Sequence, residues 1–281
     1  MSDSVADEPV RLTSLGTIAG WLGRFEPTDP DADAVHAVEE LLPTGSDTWP
    51  YLRRFTALTA LSASIAAFGL LADSGAVVIG AMLVAPLMTP IIGASAATVT
   101  ADNRRLLRAL LIIALGTFVA IAVGWFVSFV AAGRVIDVRS LPTEIRSRTF
   151  PGLLDLGIAI TAGAAAGYIQ PRRSAISALP GVGIAVALVP PLATVGITLE
   201  LGLGADSRNA LLLYLTNLAA IVFAAALVLL ASGFRPHDRE GTRSLWMRLA
   251  ITLVAVMLVA IPLTLHTRSV ILDLRLRTAV T

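Results

Sequence analysis

The chain has 281 residues, of which 56% are hydrophobic and only 15% are charged, and its mean hydropathy is +0.79. Soluble proteins contain about 45–50% apolar and about 25% charged residues, so this composition excludes an ordinary soluble enzyme and predicts an all-α polytopic membrane helix bundle. The net charge of +1, with arginines scattered along the chain, argues against nucleic-acid binding, and the absence of Cys excludes thiol catalysis.

The first 52 residues are the most polar part of the chain and are predicted to form a cytoplasmic N-terminal tail. They contain acidic residues but no basic segment followed by an apolar core, so we expect no cleaved signal peptide. Trp49, Pro50 and Tyr51 lead into the first apolar run, and aromatic residues at such a place are typical of anchors at the membrane surface.

A helix that crosses a bilayer needs about 20 mainly apolar residues, and about seven segments meet this requirement. Counts of six and eight stay open, because the second and fifth segments contain prolines and could be re-entrant. A transmembrane core is predicted over residues 53–234, followed by an extra transmembrane helix and a C-terminal tail over residues 235–281. Because only Asp73 and Ser74 separate the first two spans, these spans are expected to form a tight antiparallel hairpin. The predicted spans are 55–72, 75–99, 106–132, 153–169, 178–199, 210–234 and 249–265.

The arginines that flank the spans indicate an orientation, because short cytoplasmic loops carry more basic residues than loops on the other side. More of these arginines fall on the cytoplasmic side if the N-terminus is placed there. We therefore expect a cytoplasmic N-terminus and an external C-terminus.

An internal similarity relates the first three spans to the next three. Residues 101–104 (Ala-Asp-Asn-Arg) recur as residues 205–208 (Ala-Asp-Ser-Arg), and residues 85–89 (Ala-Pro-Leu-Met-Thr) resemble residues 190–194 (Pro-Pro-Leu-Ala-Thr). A second copy of three spans must enter the membrane from the opposite face, so the pattern predicts an inverted repeat of residues 53–132 and 152–234. The alternative is chance similarity between helices rich in Ala, Leu and Pro.

Prolines interrupt the second and fifth predicted spans. Pro86 and Pro90 lie near the middle of the second span, and Pro190 and Pro191 near the middle of the fifth. A proline inside a helix removes a backbone donor and frees a carbonyl, and in hydrocarbon such groups must be satisfied by protein or by water in a cavity. Two interpretations stay open: paired breaks that face a solute pathway, and two packing kinks of the kind that transmembrane helices tolerate.

Small and hydroxyl residues surround these prolines. Thr89 and Thr194 each follow a proline by three residues and are placed to line a polar path, whereas the nearby glycines are expected to allow close helix packing. Asn217, an amide within the sixth span, is expected to hydrogen bond between helices. The predicted pathway residues are Pro86, Thr89, Pro90, Pro190, Pro191, Thr194 and Asn217.

No constellation of catalytic groups accompanies these residues. The three His do not share helical spacing, so a metal site is unsupported, and no nucleotide or nucleophile motif is present. Asp155 begins the fourth span, where an acid suits the helix dipole and is expected to act as a cap. We expect neither enzymatic activity nor a cofactor.

The stretch 60–91 resembles the most characteristic segment of a family of prokaryotic hydrophobic proteins, known as domain of unknown function three-eight-nine. The resemblance depends on Gly-Leu-Leu at 69–71, Asp-Ser at 73–74, Val-Ile-Gly-Ala-Met-Leu at 78–83 and Ala-Pro-Leu-Met at 85–88, and it is expected to extend over about 55–231. It implies a multi-pass protein of a prokaryotic inner membrane without an established activity, and it supplies no mechanism.

Two functional hypotheses follow. The first is a transporter or channel for a small solute or ion, with a pathway between the second and fifth helices. The second is an oligomeric membrane scaffold or sensor subunit without transport activity, suggested by the small residues Ala159, Gly163 and Gly167 in the fourth span, which favour close packing. The expected partners are the lipid bilayer, an unidentified small solute or ion, and further copies of the chain in a homo-oligomer.

Overall fold

Every regular element in the described part of the chain is helical. A computed structural model describes residues 42–43, 45–131, 141–150, 152–169, 188–234, 245–254 and 257. A short 3-10 turn, Gly45–Asp47, precedes the first helix. The helices are α1 Thr48–Leu71, α2 Gly75–Val84, α3 Met88–Val99, α4 Asn103–Ala131, α5 Thr143–Thr149, α6 Leu153–Ile169, α7 Val189–Glu200, α8 Gly204–Ala231 and α9 Leu245–Val254.

The helix bounds follow the predicted spans, with extensions at polar ends. The fourth span coincides with α6, whereas α1 and α8 begin several residues before the apolar runs that predicted them. The first turn of α8 contains Asp206 and other polar residues. A search for apolar segments does not include these residues, although they are helical. Parts of the fifth and seventh predicted spans lie outside the described residues.

The described helices have the lengths and surfaces of a membrane bundle. Three of them, α1, α4 and α8, are each long and apolar enough to cross a membrane, and the number rises to five if two bent helix pairs count as one span each. Large apolar side chains such as Phe118 and Leu154 are 71% and 85% exposed on the outside of the bundle. Hydrocarbon is the solvent that such a surface suits, so the fold is that of an all-helical integral membrane protein.

Two glycines bring α6 into direct backbone contact with α8. A Cβ atom added at Gly163 would lie 2.6 Å from the carbonyl oxygen of Ile221, and one added at Gly167 would lie 2.7 Å from that of Ala225. Ala159, on the same face, is fully buried. The small residues that suggested a surface for oligomerisation therefore pack within the chain itself.

A second glycine contact joins α4 to α7. A Cβ atom at Gly124 would lie 2.7 Å from the carbonyl oxygen of Ala193, and one at Gly196 would collide with the carbonyl oxygen of Ile121. Glycine is required at both places because no side chain fits between the two backbones.

The units α3–α4 and α7–α8 have the same local build. Each consists of a 12-residue helix, a three-residue turn and a helix of 29 or 28 residues. The central turn residues, Ala101 and Gly202, have φ angles of 60° and 74°. The residue after each, Asp102 or Leu203, donates its N–H to a carbonyl five residues earlier, at 3.1 Å and 2.8 Å respectively.

The two turns lie at opposite ends of α4. The first turn directly precedes Asn103, the first residue of α4. Glu200, which directly precedes the second turn, accepts a 2.8 Å hydrogen bond from the hydroxyl of Ser128, which is about 37 Å further along α4 at 1.5 Å per residue. Helices α3 and α7 therefore run towards opposite ends of the bundle.

The sequence motifs that predicted the repeat do not occupy equivalent places in these units. Asp102 lies in the turn, where its carboxylate accepts hydrogen bonds from the N–H groups of Arg104 and Arg105 at 2.9 Å and 3.0 Å. Asp206 instead lies inside the first turn of α8. In the structure, the turn at residues 100–102 corresponds to the turn at residues 201–203. The sequence similarity instead pairs residues 101–104 with residues 205–208, so the two pairings do not coincide.

Candidate functional site: a cavity beside the broken second span

The second span is broken at Pro86. Helix α2 ends at Val84, α3 begins at Met88, and their axes differ by 59°. Ala85 has an extended backbone with ψ of 123°, as expected for a residue before proline, where the helical conformation is disfavoured by contact with the ring. The missing N–H of Pro86 prevents the helical hydrogen bonds from continuing across this point.

The break lies near the middle of α1, against which α2 packs in antiparallel fashion. Leu58 of α1 shares a cavity with Pro86. Leu58 is ten residues from Thr48 and thirteen from Leu71, or about 15 Å and 20 Å along the helix axis. If α1 crosses the membrane from end to end, the break is therefore at mid-depth.

Ser62 satisfies one of the carbonyls that the break exposes. The last four carbonyls of any helix have no partner within it, and in α2 these begin with the carbonyl of Ala81. The Ser62 hydroxyl donates a 2.7 Å hydrogen bond to the Ala81 oxygen. Sequence reasoning missed Ser62, although a serine in the middle of the first span was a signal available to it.

A cavity of about 250 Å³ opens beside the break, between α1 and the start of α3. It contains two of the predicted pathway residues, together with four residues of α1 that the prediction did not include. Its lining residues are Tyr51, Arg54, Phe55, Leu58, Pro86 and Thr89.

Tyr51 contributes an unsatisfied polar group to this region. Its ring stacks on Phe55 at a centroid distance of 6.1 Å. Its hydroxyl is buried and has no hydrogen-bond partner among the described residues. Tyr51 is half-buried near the start of α1, whereas Trp49, two residues earlier, is 69% exposed.

Arg54 gives the cavity a positive charge. The described lining contains this one guanidinium and no carboxylate, and no hydrogen bond or ion pair joins Arg54 to another described residue. Arg53, its neighbour in α1, is also exposed but does not line the cavity. The two arginines therefore have different surroundings despite adjacent positions.

Leu87 fixes the break against α4. It is 1% exposed, and a Cβ atom at Gly116 of α4 would lie 2.8 Å from its Cδ2 and 2.9 Å from the Cζ of Phe55. The absence of a side chain at Gly116 therefore makes room for the residue that follows Pro86 and for one wall of the cavity.

The other predicted prolines lie in the first turns of described helices. Pro90 is in the first turn of α3, and Pro190 and Pro191 are in the first turn of α7, where a backbone N–H would have no helical partner. All three are buried, so each proline removes a donor that would otherwise be unsatisfied in an apolar interior. The part of the fifth span that precedes residue 188 lies outside the described residues.

The structure divides the predicted pathway residues between the two halves of the bundle. Pro86 and Thr89 share the cavity, while Pro190, Pro191 and Thr194 belong to α7 and do not line it. Thr194 is fully buried, and its hydroxyl has no partner in the described part of the chain. Asn217 is 3% exposed within α8.

A second cavity lies between the start of α1 and α4. It has a volume of about 310 Å³ and is lined by residues near the start of α1 and by α4, including Leu52, Arg108 and Leu115. None of the predicted pathway residues lines it. Although larger, it does not adjoin the interrupted backbone.

Acidic residues in the described part of the chain have structural roles. Asp155 accepts a 2.8 Å hydrogen bond from the N–H of Gly152, which confirms the expected cap at the start of α6. Asp73 accepts a 2.7 Å bond from the N–H of Glu144 and so fixes α5 to the turn after α1. Within the described residues, no group of three or more His, Cys, Asp or Glu is arranged to hold a metal ion.

The fold and the site together define an all-helical integral membrane protein whose second span is broken, with an open cavity beside the break. The family model described as Domain of unknown function (DUF389) matches residues 82–223, and the chain belongs to this family. It is 29% identical over 230 residues to an uncharacterized protein of Methanocaldococcus jannaschii, covering 78% of this chain and 70% of that protein. No solved structure matches the chain.

Proposed function

We propose that this protein allows a small solute or ion to cross a prokaryotic inner membrane, as a transporter or channel, with its pathway passing the break at Pro86. The observation that carries the proposal is the cavity of about 250 Å³ at the interrupted backbone. Irregular backbone at membrane depth is tolerated where it is buried in protein or lines a water-filled cavity.

Buried hydroxyls support a polar route through the bundle. Tyr51 and Thr59 lie on α1 and Thr194 on α7, and the hydroxyl of each is buried without a partner among the described residues. A buried unsatisfied polar group costs about 1–3 kcal/mol. Water or a passing solute inside the bundle would remove that cost, which is a reason for such groups to persist in a permeation protein.

The opposite directions of α3 and α7 support an inverted repeat. Both helices have twelve residues, both carry proline in the first turn, and they end at opposite ends of α4. Inverted repeats with short helices that begin inside the membrane recur in secondary transporters, where solute sites lie between the halves. We propose the same relationship here, with the N-terminus in the cytoplasm.

The scaffold hypothesis loses the feature that suggested it, because Gly163 and Gly167 contact α8 of the same chain. A homo-oligomer stays a prediction that is compatible with either function.

Reconstitution into liposomes tests the proposal. Vesicles that contain the protein are expected to release or admit small solutes faster than empty vesicles, and Pro86→Ala is expected to lower the rate because it favours a straighter helix across the cavity. Gly80→Ala is the matched control, since Gly80 is in α2 and a Cβ atom there meets nothing within 4 Å. Equal leakage from empty and protein-containing vesicles for every solute tried would refute a permeation function.

A further inference from the structure

We infer that the cavity beside Pro86 is a binding site for a small anion, held by the guanidinium of Arg54 and the hydroxyl of Thr89. This inference rests on the proposed function for its place in a permeation pathway, but the site itself is argued from the composition of the cavity.

The charge of the lining selects the ligand class. Arg54 is the one ionisable group among the six lining residues apart from the Tyr51 phenol, and no described carboxylate pairs with it. Arg54 is exposed and precedes the predicted span 55–72, so its guanidinium is open to a ligand that enters from water. An anion in the cavity would pair with this charge, whereas a cation would be repelled by it.

A hydroxyl and a helix end add hydrogen-bond donors. Thr89 is half-buried, and no hydrogen bond joins its hydroxyl to another described residue, so this hydroxyl can donate to an anion in the cavity. Thr89 is the second residue of α3, so its side chain lines the cavity where the free N–H groups at the start of a 12-residue helix are found. That end of a helix carries partial positive charge and favours anions.

The volume limits the size of the ligand. A cavity of about 250 Å³ is below the range of about 300–1,000 Å³ typical of drug-sized ligands. The site therefore suits an inorganic oxyanion or a short carboxylate. Phe55 and Leu58 form an apolar wall, which would accommodate the methyl group of an acetate-sized ligand.

Binding can be measured without transport. For full-length protein in detergent, we expect inorganic phosphate or acetate to raise the unfolding temperature by about 3–6 °C at ten times the dissociation constant, relative to chloride at equal ionic strength. Arg54→Gln and Thr89→Val should reduce this shift, while Arg54→Lys should retain part of it. Arg53→Gln is the matched control, because Arg53 is adjacent and does not line the cavity.

The same variants are then tested in liposomes of zwitterionic lipid loaded with potassium acetate, potassium phosphate or glycerol. Anion flux is expected to exceed that of potassium and glycerol and to fall about tenfold or more in Arg54→Gln, with Arg53→Gln unchanged. Flux of potassium or glycerol that is insensitive to Arg54→Gln would overturn the anion site and leave the permeation function standing. An Arg54-dependent anion shift without any flux would support the site and overturn the permeation function.

A third arm separates soluble anions from lipid headgroups, which carry the same phosphate chemistry. The protein could be stabilised by phosphatidylglycerol but not by free phosphate or acetate, with the stabilisation lost in Arg54→Gln. That result would show that the anion bound at the site is a lipid headgroup. Equal shifts in the wild type, Arg54→Gln and Arg53→Gln for every anion would refute the site.

Discussion

The hydroxyl of Ser62 in α1 and the carbonyl of Ala81 in α2 are joined by a 2.7 Å hydrogen bond that holds the broken span against its neighbour. The bond satisfies a carbonyl near the break. It also fixes how far α2 is displaced along α1, and therefore where the cavity lies.

Replacing this serine should destabilise the protein. Ser62→Ala leaves the buried Ala81 carbonyl without its partner, and we expect a loss of about 1–3 kcal/mol, measured as a lower unfolding temperature in detergent. Ser64→Ala is the control, because the Ser64 hydroxyl bonds to the carbonyl of Ala60 in its own helix. An equal loss in both variants would contradict the role assigned to Ser62.

The glycine contact between α6 and α8 predicts a position-specific effect within one helix. Gly167→Ala should lower the unfolding temperature because its methyl group would meet the Ala225 backbone, and overpacking typically costs about 1–3 kcal/mol. Gly157→Ala meets nothing within 4 Å and should be neutral or stabilising by up to about 1 kcal/mol. Comparable effects at both glycines would show that this contact is not tight.

The prolines that begin helices predict a contrast between buried and exposed sites. Pro191→Ala adds an N–H at the buried start of α7 and should cost about 1–3 kcal/mol through an unsatisfied donor. Pro50→Ala adds an N–H in the first turn of α1 at an exposed site, where water can bind it. The change at Pro50 should stay within about 0.5 kcal/mol, and a larger loss there than at Pro191 would contradict this explanation.

The opposite directions of α3 and α7 can be tested by labelling, because the natural chain has no Cys. With the N-terminus in the cytoplasm, a membrane-impermeant maleimide should label Ala205→Cys in intact cells and Arg104→Cys only after permeabilisation. Both positions are exposed next to the two turns. The reverse pattern would invert the orientation, and labelling of both from the same side would exclude the inverted arrangement.

The sequence was sufficient for the features that depend on local chemistry. Apolar length predicted α1, α4, α6 and α8, and the prolines indicated an interruption of the second span. The contribution of Tyr51 and Ser62 depends on which face of α1 meets α2, which composition does not encode. Pro90 illustrates the same limit, because it was predicted with Pro86 to interrupt the second span but lies in the first turn of α3, after the break.

Gly124 and Gly196 bring α4 and α7 together backbone to backbone, and Gly163 and Gly167 do the same for α6 and α8. Neither pair can slide without a collision between main chains, so each pair must move as a rigid body. Helix α2, in contrast, packs chiefly on α1 and ends in the three-residue connection at Pro86. Helix α1 also packs on α4, so any alternation of access between the two membrane faces would be made by movement of α2, with Ala85 and Pro86 as its hinge.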